Sequence, residues 1–341
     1  MKLYDVAIVG AGMAGLTCAR QLQQQGYRVI VLEKSRGVGG RVTTRRVGDR
    51  LTIDRGLPWL EVQGEQTQKL IEQLQQEAII EPWNGRVYRL NRQGKIQPTE
   101  AKNRYVAPQG INAIAKYIAR DLAIAKQCRI TSVRYKDNAW QLISKTDSIS
   151  AKAMVIAVPA PQAVDILKGI ELDVSAEFTN QLQAVKYYPC ITVSAGYEPC
   201  YFSDLPPWEV LNFDCSETIA KIIFDSRKKN NDLQPVFIFH STPQFADKYL
   251  EETDLQPIGE QLLAEAAILQ CTWFKSTQWM QVHRWRYAIS RDWLDRSCLV
   301  TKSPLPLVCC GDWCSGKNLE SALVSGLESA EAIANKVADN N

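Results

Sequence analysis

Histidine is almost absent: His240 and His283 are the only two in 341 residues. No CxxC or HExxH spacing occurs either, so the chain lacks the ligand sets that structural and catalytic zinc sites use. No apolar run approaches the roughly 18 residues that a membrane span needs. The longest, around Ala153 to Pro161, is short and broken by proline. The N-terminus runs straight into a strand without a cleavable leader pattern, so no leader is expected. Charge of one sign is also lacking, because 40 lysines and arginines stand against 37 acids for a net charge of +3. Without a basic tail or patch, nucleic acid is excluded as an expected partner. The ten cysteines follow no framework spacing, and several fall in apolar strands, a usage that points to reduced thiols and a cytoplasmic location. What is present, 45% apolar and 23% charged residues, suffices for two globular domains with a substantial core.

The densest signal lies between Asp5 and Arg41. Asp5 to Val9 is a short apolar run of the kind that forms a strand buried on both faces of a parallel sheet. Gly10, Gly12 and Gly15 follow at once, with Met13 and Ala14 inside the same turn. Gly10 permits the sharp turn, Gly12 lets a pyrophosphate approach the backbone, and Gly15 lets helix pack on strand. The helix that follows points its dipole at the phosphates, and Gly26 can end it. A second strand, Arg28 to Leu32, delivers Glu33, followed by Lys34, to the place where a carboxylate accepts hydrogen bonds from a ribose diol and repels a 2′-phosphate. The spacing therefore predicts a dinucleotide site. Beyond the acid, Gly37-Val38-Gly39-Gly40-Arg41 offers bare backbone and a fixed cation to a phosphate.

Two glycine turns, one on each side of the acid, resemble the FAD-binding proteins of the amine oxidase and renalase superfamily. Gly311-Asp312, after the apolar strand Leu305 to Cys310, resembles the second FAD motif of that superfamily, whose acid accepts a hydrogen bond from the ribityl chain. Tyr105 to Gly110 and Lys136 to Trp140 resemble renalases more closely than other relatives, and Trp285 to Ala288 resembles a stretch found in renalases and their relatives. The resemblance implies non-covalent FAD held by Gly10, Gly12, Met13, Ala14, Gly15, Glu33, Lys34, Gly40 and Arg41. It adds the backbone at Ile130 against the adenine, then Gly311 and Asp312, and backbone N–H groups at Ser321, Ala322 and Leu323 toward the flavin. Ser325-Gly326 matches small residues used against the cofactor, and the Asp54-Arg55-Gly56 turn matches one placed beside the flavin. Trp59 is balanced between core packing and lining that pocket. His240 matches a renalase histidine, although a strand-end histidine is as readily structural, and Arg286 is the arginine that would touch a dinucleotide phosphate.

Element by element, the spacing of apolar residues predicts helices over Gln66 to Ala78, Gly110 to Leu122, Pro257 to Gln270 and Leu319 to Val337. Strands are expected at Arg129 to Tyr135, Ala139 to Ile143, Met154 to Val158, Ile191 to Tyr197, Ile219 to Asp225, Val236 to His240 and Thr277 to Tyr287, with a hairpin over Arg86 to Gln97 and a polar loop at Arg227 to Asn231. The expected fold is α/β: a Rossmann-type FAD-binding domain with a second, mixed-sheet substrate domain, in the two-domain architecture of p-hydroxybenzoate hydroxylase. The first domain is assigned 1–60, 101–160 and 278–341, and the second 61–100 and 161–277. The resemblance implies an oxidase that takes hydride from dihydronicotinamide isomers of NAD(P), with O2 as acceptor. An amine oxidase, a desaturase-like flavoenzyme or a flavin-binding sensor remain open beside it.

Overall fold

The computed structural model describes residues 3–48, 51–168, 176–229, 233–301 and 304–338. The Leu3–Val9 strand sits at the centre of an eight-stranded sheet, parallel to Val29–Glu33 on one side and to Ser148–Ile156 on the other. Its residues alternate between two cores, Val6 and Ile8 in one and Ala7 and Val9 in the other, which is why the run is apolar without a polar face. Ser148–Ile156 divides the sheet's outer edge: its first half pairs antiparallel with Ala139–Ile143 and its last residues pair parallel with Leu307–Cys309.

Two layers of helices cover this sheet. On one face Met13–Gln24 packs against Leu319–Ala338, and Gly326 makes the close approach possible, since a β-carbon there would lie 2.4 Å from the Ala14 carbonyl oxygen. On the other face lie Ala160–Leu167 and Ala176–Ala184, which bury Ala163, Ile166, Phe178 and Leu182 with Val9 and Ile30.

The second sheet has seven strands in the order Trp279–Asp292, Lys186–Gly196, Val236–Ser241, Ile219–Phe224, Val210–Phe213, Val87–Leu90, Ile96–Pro98. All neighbours are antiparallel except Val210–Phe213 and Val87–Leu90. One face buries Ile191, Val193, Ile222, Phe237 and Phe239 under the Gln256–Leu269 helix. The other turns toward the first domain and meets Trp59 and Trp83 with Val87, Val210, Ile223 and Ile238.

Several expected boundaries move. The strand at 279–292 pairs with Lys186–Gly196 and belongs to the second sheet, so the first domain resumes only after Asp292. The Glu65–Gln76 helix buries Leu70, Ile71 and Leu74 in the core beneath the Rossmann sheet rather than in the second domain. The helices at 160–167 and 176–184 also join the first domain. Ile130 lies in a loop, because the strand expected from Arg129 begins only at Ser132. Asp225–Lys228 forms a helical turn where a polar loop was expected, while Asn230 and Asn231 fall outside the described residues, as does Ile170. None of the described helices is long and apolar enough to cross a membrane.

The two ends of the first domain are tied by one carboxylate. Glu320, in the first turn of Leu319–Ala338, accepts from the Gln66 N–H (3.0 Å) and the Thr67 N–H (2.7 Å), capping another helix in place of a local N-cap side chain. Glu320→Ala should cost about 1–2 kcal/mol. It should therefore lower Tm by a few degrees in a melt, and an unchanged Tm would show that water replaces the cap.

Candidate active site

The two glycine turns expected to hold a dinucleotide meet in space. Gly39 forms a bridge with Gly12, and its N–H donates to the Ala11 carbonyl at 2.8 Å. Gly10 (φ +105°) and Gly39 (φ +111°) both occupy backbone space that other residues rarely enter. A β-carbon at Gly10 or Gly15 would collide with backbone oxygens at 2.5 and 2.1 Å, whereas one at Gly12 would meet nothing within 4 Å. Gly12 and Gly40 thus present open backbone, with Met13 and Ala14 buried beneath them.

Glu33 ends the second strand, and its carboxylate accepts from the Ala11 N–H and the Ser35 N–H, each at 2.8 Å. Lys34 turns outward and donates to Gln162 at 3.1 Å. Ile130 is buried with Leu32 near that strand end.

Arg41 and Asp312, assigned separately to phosphate and ribityl contacts, grip each other. The guanidinium donates to both Asp312 oxygens at 2.9 and 2.6 Å and to the Ala288 carbonyl at 3.1 Å. That fork joins the first domain to the Trp279–Asp292 strand of the second sheet, and Arg41 remains 37% exposed while Asp312 is 4% exposed.

Gly311 donates its N–H to Ser325 Oγ at 3.0 Å. Ser325 is fully buried and Gly326 lies against the Ala14 backbone, so this small-residue pair packs closely against protein. Asn318 Oδ1 accepts from the Ser321 N–H at 2.9 Å and the Asn318 carbonyl from the Ala322 N–H at 3.3 Å. Two amides expected to face a flavin therefore already have protein acceptors, and the Ala322 and Leu323 side chains sit in the core.

The second sheet brings the chain's two histidines into one row. Thr192 is the register partner of His283 on one side and His240 on the other, and His240 is in turn the partner of Lys221. All four side chains occupy the face opposite the Gln256–Leu269 helix. Burial, and then the Lys221 and Lys228 ammonium groups, push His240 down to about 3, so its ring is neutral. Burial and then Arg55 hold His283 at about 4.

The neighbours of the His240 ring accommodate both tautomers. Thr192 Oγ1 accepts from Trp285 Nε1 at 3.1 Å and lies 3.4 Å from His240 Nδ1, with the Cys190 thiol 3.7 Å from the same nitrogen. The Thr192 hydroxyl can donate either to Nδ1 or to the Cys190 sulfur 3.9 Å away. In both arrangements Nε2 is out of contact with solvent and without a protein partner.

Lys221 had no sequence signal beyond its place in an apolar strand. It is mostly buried, which pulls its pKa down, and its ammonium stands 5.2 Å from the Trp59 ring. Trp59 itself stacks on Trp83 and donates to Glu61 at 2.8 Å, so it lines the space between the domains. Arg286 lies on the opposite face of its strand from His283, in an exposed bidentate pair with Glu251. The alternation of side chains along the strand removes it from the row.

Beside the row, Asp54 and Asp225 share Lys228 and Lys229 in a buried quartet. Lys229 reaches both carboxylates, at 3.1 and 2.9 Å, and Lys228 is 2.8 Å from Asp225. Asp54 also accepts from Thr44 at 2.7 Å and from the Ile111 N–H at 3.0 Å. The acid of the Asp54-Arg55-Gly56 turn thus locks the first domain to the second.

The open backbone at Gly12 and Gly40 and the Glu33 carboxylate fit a dinucleotide such as FAD at the Rossmann turn.

Comparison with known proteins agrees. Residues 8–74 match the profile of the NAD(P)-binding Rossmann-like domain, and residues 90–334 that of flavin containing amine oxidoreductases. A lysine-specific histone demethylase 1 homolog 3 from Arabidopsis thaliana is 53% identical over 51 residues, 15% of this chain and 3% of that protein. The nicotine dehydrogenase of Pseudomonas putida is 44% identical over 57 residues, 17% of this chain and 12% of that protein. The chain thus spans a small fraction of the length of these relatives. Putrescine oxidase bound to putrescine superposes with a TM-score of 0.71 at 15% identity, covering 98% of this chain and 99% of that one. Cyclohexylamine oxidase from Brevibacterium oxydans IH-35A gives 0.72 at 14% identity, with the same coverage. With the profile covering most of its length, this chain belongs to the flavin containing amine oxidoreductase family.

Proposed function

We propose that the chain is an FAD-dependent oxidase of the renalase type, which takes hydride from dihydronicotinamide isomers of NAD(P) and returns NAD(P)+. When bound, FAD supplies the hydride acceptor, and O2 removes the electrons as hydrogen peroxide. Gly12 and Gly40 would hold the pyrophosphate through bare backbone and Glu33 the ribose diol. Asp312 and Arg41 would open their fork toward the ribityl chain and phosphate.

The observation that carries the donor class is the sign of the charge around the row. Lys221 and Arg55 form no ion pair with a carboxylate among the described residues, although Glu61 offsets part of the Lys221 charge, whereas Asp54, Asp225 and Glu61 are each paired with other cations. A protonated amine entering here meets an excess of positive charge. A dihydronicotinamide dinucleotide brings a neutral ring and anionic phosphates. The free state of the ten described thiols fits a cytoplasmic setting.

The second reading is amine oxidation. It rests on the family's description and on the paired rings of Tyr187 and Tyr287, 5.2 Å apart. A flavin sensor is the third. Mixing the flavin-loaded protein anaerobically with isomerised NADH, pure NADH and simple amines separates them. Rapid bleaching by the isomerised preparation alone is the expected result; bleaching by amines alone would remove the proposal, and none at all would favour the sensor.

A further inference from the structure

The ladder between Ile219–Phe224 and Val236–Ser241 slips by one residue. Ile219 pairs with Ser241 and Lys221 with His240, so Ala220 is an extra residue in its strand. The consequence is a change of face. Ile219 lies in the core under the Gln256–Leu269 helix with Ile222 and Phe224, whereas Ile223 packs on the opposite face with Trp59 and Trp83. Regular alternation from Ile219 would send Lys221 into the apolar core, and the bulge turns it onto the face shared by Ile223 and His240. Bulges re-aim side chains in this way beside functional sites.

On that face the lysine meets an indole instead of a carboxylate. Its ammonium stands 5.2 Å from the centre of the Trp59 ring, and no ion pair or hydrogen bond reaches it among the described residues. A ring face attracts a cation without neutralising it. Glu61 Oε1 accepts from Trp59 Nε1 at 2.8 Å and from Arg104 Nε at 3.0 Å, and offsets only part of the Lys221 charge. Beyond them, Lys228 and Lys229 are matched by Asp225 and Asp54. Among these groups the positive charge left over is that of Lys221, in a space between the sheets where solvent screens it less than at the surface.

We propose that Lys221 sets the charge class of the hydride donor: aimed by the bulge and seated on Trp59, it disfavours a protonated amine and favours a donor that carries negative charge. Trp59 is its positioning residue. The assignment rests on the dihydronicotinamide reading above. A charge that repels the wrong ligand selects as effectively as a contact that holds the right one.

Benzoate, benzamide and benzamidinium share one planar shape and differ in charge, so calorimetric titration of FAD-loaded protein with each isolates the charge term. Wild type should bind benzoate at least about tenfold more tightly than benzamidinium. Lys221→Met should bring the two close to equal, Lys221→Arg should keep the preference, and benzamide should bind all three proteins alike. Burial, helped by Arg104 and Lys228 and opposed by Glu61 and Cys190, lowers the Lys221 pKa. The ammonium therefore loses its proton earlier than an ordinary lysine as pH rises, and the preference should fade at lower pH in wild type than in Lys221→Arg. Equal Tm values check that each protein is folded. An unchanged preference in Lys221→Met, a parallel loss of all three ligands, or no binding of benzoate to wild type would overturn the assignment. If the preference depends on Lys221 but isomerised NADH fails to bleach the flavin, the charge selection stands and the dihydronicotinamide donor falls. Bleaching with a preference that ignores Lys221 means the reverse.

Discussion

Asp225→Asn is expected to destabilise the protein by about 3–5 kcal/mol, the cost of leaving a buried charge uncompensated. The Lys228 and Lys229 side chains are 1% and 4% exposed, and Asp225 is fully buried between them. Removing its charge leaves two ammonium groups to share Asp54. Urea unfolding of wild type and variant measures the difference, and a loss below about 1 kcal/mol would mean that water reaches the lysines. Burial by itself would raise the Asp225 pKa, but Lys228 and Lys229 reverse this and hold it at about 2, below its ordinary 3.8. Because the folded-state value is depressed, the stability from this carboxylate is fully present above about pH 4. It is lost as pH falls from about 4 toward 2. In Asp225→Asn, this part of the acid dependence should disappear.

Gly12→Ala should leave the apoprotein as stable as wild type and weaken FAD by about 100-fold or more. The backbone at Gly12 (φ −76°, ψ 177°) suits alanine, and the added methyl meets no protein atom within 4 Å. It would occupy the space that a pyrophosphate needs against bare backbone. Gly15→Ala makes the contrast: its methyl would lie 2.1 Å from the Gly10 oxygen, so fold and cofactor should suffer together. Apoprotein Tm and FAD titration read the two effects separately. Undiminished FAD affinity in Gly12→Ala would show that the cofactor does not approach this turn.

Much of the cofactor half was legible because its chemistry is local. A strand, three glycines, a helix and an acid within one stretch carry their own geometry, and the second glycine turn is close enough in sequence to be read with them. Loop and boundary errors had local causes too. Ile130 carried a strand-like apolar neighbourhood but leaves the sheet, and Glu65–Gln76 looked like a second-domain helix although its apolar stripe fits the first core. Arg286 stood in a family-like stretch, yet strand alternation turns it outward to Glu251.

The substrate side was less legible because its members come from separate strands. His240 could be singled out by resemblance, but His283, Thr192 and Lys221 could not be joined to it until register aligned four strands. The same holds for the Arg41–Asp312 fork and for the buried quartet, whose partners lie far apart in sequence. Sequence alone determined the dinucleotide turn, its carboxylate and the two-domain α/β plan, since these depend on backbone conformation and apolar periodicity over short spans. Tertiary structure decided which charges are paired and which are left bare at the row, because desolvation and long-range pairing exist only once the two sheets face each other.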